Sequence, residues 1–278
     1  MQDPFITALN TQKAALGWFD ELSTNLGNIY TPGYRARQVT FADFINGVEM
    51  QQTTRKPDQG KAIPGRAPSN LFIEGSGYFV MRTNDGQLRY TRLGDFEFQA
   101  DGTLVNAKGW KVQAYLLGEN GEALNVSGAN SSVNPNNPGL AQGGPGQTPT
   151  TEINLWVDPS NGKFFGKYDE YKVQSDGTVV GLANGGKTVT PLYRVALAGF
   201  TNPGALREVE DQYFVPTTKS GETLAGSGEV RSGLLEESNT SLRENVAYLQ
   251  QAKQQLDVTA KIVSTNKTLL EEALRLIQ

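Results

Sequence analysis

Few residues in this chain could do chemistry. Its 278 residues include no histidine and no cysteine, so acid–base work could fall only to carboxylates, lysine or tyrosine. Ser-His-Asp and Cys-His catalysis lack their base. Zinc, haem and iron–sulfur sites built on Cys or His are excluded, as are disulfides. Asp101 and Asp176 each precede a glycine, which reads first as turn geometry. Asp158, Asp169 and Glu170 could mimic a carboxylate pair, but no spacing rule singles them out. A glycosidase needs two facing acids, and among 29 acidic residues some lie close by chance. The Asp-x-Asp-x-Asp-Gly calcium loop does not occur. Gly75-Ser76-Gly77 lacks the lysine and helix start of a phosphate loop and the full Gly-x-Ser-x-Gly pattern. Trp18, Trp110 and Trp156 are too far apart to form a basic-aromatic patch. The charge is 25 basic minus 29 acidic, or −4, which argues against nucleic-acid binding by phosphate neutralisation. The expectation is a protein with no catalytic residue, cofactor or metal, and not an enzyme.

The elements around these residues divide into three zones. Residues 1 to about 30 read as helix, about 66–232 as β-structure with turns, and 238–277 as one long helix. In the last zone Leu235, Leu242, Leu249, Leu256, Val263, Leu270 and Ile277 recur at steps of seven, a repeat that implies a left-handed seam with another helix. Ser241 and Glu244 form a capping box near its start. A helix over 238–277 would be about 60 Å long, more than one small domain needs. A second, weaker column, Val246, Lys253, Ala260, Lys267 and Leu274, lies four positions on. In the first zone Phe5, Leu9, Leu16, Phe19 and Leu26 follow heptad-like spacing, widened by Leu22 and Ile29 and ended by Asn28, Pro32 and Gly33. An ordinary helical hairpin capping a globular domain would fit both stripes. The length of the second helix favours a polymerisation element instead.

The middle zone alternates apolar and polar residues. Leu71, Ile73 and Tyr78, Val80 bracket Gly75-Ser76-Gly77. Asn84-Asp85-Gly86 signals a hairpin turn before Leu88 and Tyr90, and Asp101-Gly102 another between Phe96, Phe98 and Leu104, Val105. Short strands at such spacing suggest a sandwich or barrel. Residues 98–105 are echoed by 173–180, both strand, Asp-Gly, strand. Residues 128–149 hold five glycines, four prolines and four asparagines, and read as an extended loop. No secretory signal is visible: the first lysine is Lys13, and the apolar start breaks at Asn10, Thr11 and Gln12. Nothing approaches the ~18 apolar residues of a membrane span. Such a chain reads as cytoplasmic by default, while the missing cysteine leans towards an exposed or exported protein.

Three stretches resemble the bacterial flagellar rod and hook proteins. The first is Thr24-Asn25-Leu26-Gly27-Asn28-Ile29-Tyr30-Thr31-Pro32-Gly33-Tyr34-Arg35. The second runs from Ile73-Glu74-Gly75-Ser76-Gly77-Tyr78-Phe79 through Tyr90-Thr91-Arg92-Leu93-Gly94-Asp95-Phe96 to Asp101-Gly102-Thr103-Leu104-Val105. The third is Gly233-Leu234-Leu235-Glu236-Glu237-Ser238-Asn239, followed by Lys261-Ile262-Val263-Ser264-Thr265. Ala198-Gly199-Phe200-Thr201-Asn202-Pro203 and Ser220-Gly221 are similar too. Gly27 where alanine is usual would weaken a helix interior by about 1 kcal/mol. Pro32, Leu256 and the 128–149 insert also depart from the pattern. The length favours a rod protein, distal before proximal, over a hook subunit.

The resemblance implies an α+β fold. Long N- and C-terminal helices, residues 1–35 and 234–278, would form a coiled-coil-like inner polymerisation domain. Residues 36–70 would be an extended linker or arm that stiffens the rod, and 71–233 an outer, all-β domain with a flexible insert at 128–149. The assembly seam would be Leu9, Leu16, Phe19 and Leu26 against Leu242, Leu249, Leu256, Val263, Leu270 and Ile277. Asn25, Asn28, Thr31, Gly33 and Tyr34 would shape the hinge. Subunits would stack helically into a hollow shaft in the basal body, outside the cytoplasm, after type III export without a cleaved signal. Partners would be further copies, other rod and hook proteins and outer-ring bushing proteins, with no nucleic acid and no membrane insertion. The rival expectations are a glycan-binding or glycan-cleaving β-domain on a coiled-coil trimer stem, and a soluble chaperone or cap.

Overall fold

Two helices frame the chain: α1, Pro4–Gly27, and α2, Leu242–Ile277. The computed structural model describes residues 4–44, 47–118, 120–122, 150–155, 168–210 and 212–277. The 128–149 insert, Trp156 and Asp158 lie outside them. The fold is α+β, a helix near each end and a large sheet between. The contacts group residues 1–58 with 238–278 as one unit and residues 59–237 as another.

Local chemistry sets the helix ends. The Glu244 N–H donates to Ser241 Oγ at 3.3 Å, satisfying one of the orphan donors of the first turn. The return half of the expected capping box is replaced, because the Glu244 carboxylate accepts from Lys56 Nζ at 2.7 Å. The helix therefore starts at Leu242 rather than 238, since Ser238 and Asn239 are engaged in non-helical bonds. Its 36 residues span about 54 Å. Gly27 is the last residue of α1, so it does not weaken a helix interior. The chain leaves α1 with Asn28 Nδ2 donating to Thr24 O at 2.8 Å and with Gly33 at φ +68°, a left-handed conformation that glycine adopts freely.

The helical unit also holds a pair of strands. β1, Arg37–Phe44, pairs antiparallel with β2, Gly47–Arg55, with a register shift between Thr40 and Phe41. Trp18 packs edge-on to Phe41 at 5.4 Å and beside Tyr248 at 5.9 Å.

The β-unit is built on a sheet of thirteen described strands. Its main path runs Glu170–Val173, Thr178–Ala183, Thr188–Val195, Lys111–Leu116, Tyr78–Arg82, Leu88–Thr91, Tyr213–Val215 and Arg207–Glu210. The period-2 pattern divides the central strand between two cores. Phe79 and Met81 join Leu71, Ile73, Phe96, Val112 and Ile153, while Val80 joins Leu88, Tyr90, Ala198 and Phe214. The expected turns fall between strands at Gly75-Ser76-Gly77, Asn84-Asp85-Gly86 and Asp101-Gly102. The sequence echo is a structural one: Thr103 N–H donates to Asp101 Oδ1, and Thr178 N–H to Asp176 Oδ1, both at 2.9 Å.

Candidate functional site

Asp101 and Asp176 serve turns. Burial works to raise the Asp176 pKa, but hydrogen bonds from the Thr178 N–H and hydroxyl, with the nearby Arg194 charge, hold it below the ordinary value. Burial pushes the phenols of Tyr90, Tyr115 and Tyr193 up, and that of Tyr171 up to about 12. Both directions lead away from neutral pH, the opposite of what a general acid or base at that pH requires.

What the motif residues do instead is hold one another. In the helical unit the buried Asn25 amide makes four hydrogen bonds. Its Oδ1 accepts from the Arg37 N–H at 2.7 Å and the Tyr34 hydroxyl at 3.1 Å. Its Nδ2 donates to Arg37 O at 2.8 Å and Asn245 Oδ1 at 3.2 Å. Thr31 Oγ1 donates to Asn28 Oδ1 at 3.1 Å, and the Arg55 guanidinium lies 5.6 Å from the Tyr34 ring centroid. Asn239 closes the knot: its N–H donates to Tyr34 O at 3.1 Å, its Oδ1 accepts from Ala36 N–H at 2.6 Å, and its Nδ2 donates to Asp58 O at 2.7 Å. Arg35 donates to Pro57 O at 2.6 Å and also to Asp58 O. The proposed hinge positions Asn25, Asn28, Thr31, Gly33 and Tyr34 thus lie together at the end of α1, joined by Arg35, Asn239 and Asn245. Asn239 was visible in sequence only as part of a motif, and Asn245 carried no signal.

The β-unit has a matching lock. Arg92 Nε lies 3.2 Å from Glu236 Oε2, with side chains 4% and 2% exposed. The same guanidinium donates to Gly77 O at 2.8 Å and Gly75 O at 2.7 Å, and Glu236 Oε1 accepts from the Gly60 N–H at 3.1 Å. The segments around Gly75, Arg92 and Glu236, far apart in sequence, meet at one buried ion pair.

The helices run antiparallel, since the end of α1 at Asn25 meets the start of α2 at Asn245. They pack on small and polar side chains. Ala8, Ala14, Ala15 and Leu22 of α1 are buried, and Asn245, Ala252 and Thr259 of α2. Leu26, Leu249, Leu256 and Val263 are half-buried. Leu9, Leu16, Phe19, Leu242 and Leu270 are exposed, and Ile277 ends α2. The alanines escape a search for large apolar residues, and the Asn245-Ala252-Thr259 column looks like an ordinary polar face. Val258, Ile262, Leu269, Leu274 and Leu276 add further exposed apolar area on α2. Among the described residues no helix is long and apolar enough to cross a membrane.

Known proteins resemble this chain in sequence. Residues 72–181 match the family model of the flagellar hook protein FlgE/F/G D1 domain. The chain is 22% identical to the flagellar basal-body rod protein FlgG of Borreliella burgdorferi over 90% of this chain and 89% of that protein. It is 23% identical to the Bacillus subtilis protein of the same name over 92% of each. The hook protein FlgE of Borreliella burgdorferi is 33% identical over 46% of this chain and 31% of its own length. The matched domain includes Gly75, Gly77 and Arg92 of the lock but not Gly60 or Glu236, and the rod-protein likenesses extend over nearly the whole chain. With both ends and the middle accounted for, the chain resembles the flagellar rod and hook proteins over nearly its whole length.

Proposed function

We propose that this protein is a structural subunit of the flagellar basal-body rod. It assembles helically with its own kind into a hollow shaft that transmits torque from motor to hook and is traversed by exported subunits. One observation supports this beyond the family resemblance: the helices pair within the chain on small residues and leave leucines uncovered along much of their length. Leu9, Leu16, Leu269, Leu270, Leu274 and Leu276 are each close to half exposed or more. Apolar area repeated in this way is a surface for other chains. On this reading the seam residues Leu9, Leu16, Phe19, Leu26, Leu242, Leu249, Leu256, Val263, Leu270 and Ile277 serve both the internal pair and its neighbours. The Asn25–Tyr34 knot fixes where the chain leaves the helical layer. Residues 36–70 stiffen the shaft, other rod and hook proteins sit above and below, and bushing proteins surround it. The subunit reaches its place beyond the cytoplasm by type III export.

A trimeric glycan-active fibre is less favoured, because a stem at one end would not need a second helix from the other. Electron microscopy of the purified protein at high concentration separates the readings: open tubes for a rod subunit, discrete trimers for the fibre, closed rings or monomers for a cap or chaperone. Leu270→Asp sharpens the test. Leu270 is exposed in the single chain, so the charge leaves the fold intact and acts only where a neighbour would bury it. Loss of tubes with an unchanged circular dichroism spectrum is expected. Normal tubes would remove Leu270 from the seam.

A further inference from the structure

We propose that the outer face of α1 in one copy receives the outer face of the distal half of α2 from a second copy, antiparallel, with Lys13 against Glu272 between two leucine pairs. This rests on the self-assembly reading and specifies which surfaces meet and in what register.

The two faces are exposed and complementary in spacing. On α1, Ile6, Leu9, Lys13, Leu16 and Asp20 follow steps of three and four, and all five side chains are exposed. On α2, Val258, Ile262, Thr265, Leu269, Glu272 and Leu276 do the same, again all exposed. This second stripe is separate from the half-buried Leu249, Leu256 and Val263 and from the buried Ala252 and Thr259. Steps that alternate three and four are the spacing of a helix–helix seam. From Leu9 the steps run four to Lys13 and three to Leu16. From Leu276, read backwards, they run four to Glu272 and three to Leu269. Antiparallel alignment therefore sets Leu9 opposite Leu276, Lys13 opposite Glu272 and Leu16 opposite Leu269. It continues with Asp20 opposite Thr265 and brings no like charges face to face. In a parallel alignment of the leucines, Lys13 and Glu272 fall out of step by one residue.

These faces cannot meet within one chain. The Asn25–Asn245 hydrogen bond, 3.2 Å, fixes the internal register and places Leu9 level with about residue 261. Leu276 lies about 15 residues further, about 22 Å along the helix. The pairing thus joins two copies, with helices displaced along their axis by about that distance. The charge pair selects register and direction, as single polar positions do in coiled seams.

The sequence makes the test clean, because it contains no cysteine. Full-length Leu9→Cys and Leu276→Cys proteins, differing in tag length, are mixed at high concentration and oxidised with copper phenanthroline. Mixed disulfides are quantified on non-reducing gels and by mass spectrometry. A disulfide requires Cα atoms within about 7 Å. The pair should cross-link at least about tenfold more than Leu9→Cys with Val258→Cys, a position about 27 Å away along α2. Adding Lys13→Glu to the first protein should cut the yield about tenfold, since like charges then face each other. Adding Glu272→Lys to the second should restore it. Equal yields with Val258→Cys, a predominance of Leu9–Leu9 homodimers, or no restoration by the charge exchange would each overturn the pairing. Microscopy of the same samples separates the two levels. Tubes without the Leu9–Leu276 cross-link refute this register and leave self-assembly standing. The absence of both ordered assemblies and cross-links refutes both.

Discussion

Glu236→Gln puts the β-unit lock to a quantitative test. The substitution keeps the side-chain shape and removes the charge facing Arg92. The guanidinium, 4% exposed, would keep the Gly75 and Gly77 carbonyls but lose its counter-charge. Removing one partner of a buried ion pair costs about 3–5 kcal/mol, because a desolvated charge remains. Arg92→Met with Glu236→Leu removes both charges. It leaves the Gly75 and Gly77 carbonyls and the Gly60 N–H without these partners, at about 1 kcal/mol each. The double variant is therefore expected to lose only about 2–3 kcal/mol, less than the single, although it deletes more bonds. Hydrogen exchange by mass spectrometry on peptides covering residues 70–98 and 230–237 reads this directly in the full chain. At about 1.4 kcal/mol per decade, Glu236→Gln should lower protection by about two to three and a half decades. Protection within about threefold of the parent, under half of one decade, or a double variant worse than the single, would refute the account of the lock as a desolvated pair.

Three further outcomes are expected. Gly94→Ala should prevent normal folding of the β-unit, because an added Cβ would lie 1.7 Å from the Leu71 carbonyl oxygen, whereas Gly27→Ala meets nothing within 4 Å and, at the helix end, should be close to neutral; solubility and thermal melts distinguish them. Asn25→Ala removes four hydrogen bonds and should cost the helical unit about 2–4 kcal/mol, seen as faster amide exchange at residues 34–39; unchanged exchange would contradict the knot. Alkaline pH should destabilise the β-unit. Folded Tyr171, raised by burial to about 12 from 10.0, holds its proton more tightly than the unfolded chain, so its contribution is complete below pH 10 and lost as pH rises through the folded value. Tyr90, Tyr115 and Tyr193 shift the same way. The melting temperature should fall across that window, less steeply in Tyr171→Phe, and a flat profile would count against it.

Local rules and periodicity were enough for much of this protein. Asp-Gly at 101 and 176, Asn84-Asp85-Gly86 and Gly75-Ser76-Gly77 mark turns because only certain backbones suit those residues. The 3.6 and 2.0 periods separate helices from strands. Missing histidine and cysteine exclude whole classes of chemistry whatever the fold. The motifs at both ends and in the middle carried the family resemblance. Three-dimensional packing decided what those rules cannot reach. Arg92 meets Glu236 across 144 residues of chain, and Asn25 meets Asn245 across 220; neither pairing is marked by local pattern, since a buried polar group is matched by whatever the fold brings near. The pairing of Arg37–Phe44 with Gly47–Arg55 was not legible in sequence, because pairing depends on tertiary register rather than on composition. The helices bury alanine, asparagine and threonine beside Leu22, and leave Leu9, Leu16, Leu242 and Leu270 exposed. A heptad specifies that a helix has partners, whereas the choice between its own chain and another copy follows from which side chains let two backbones approach.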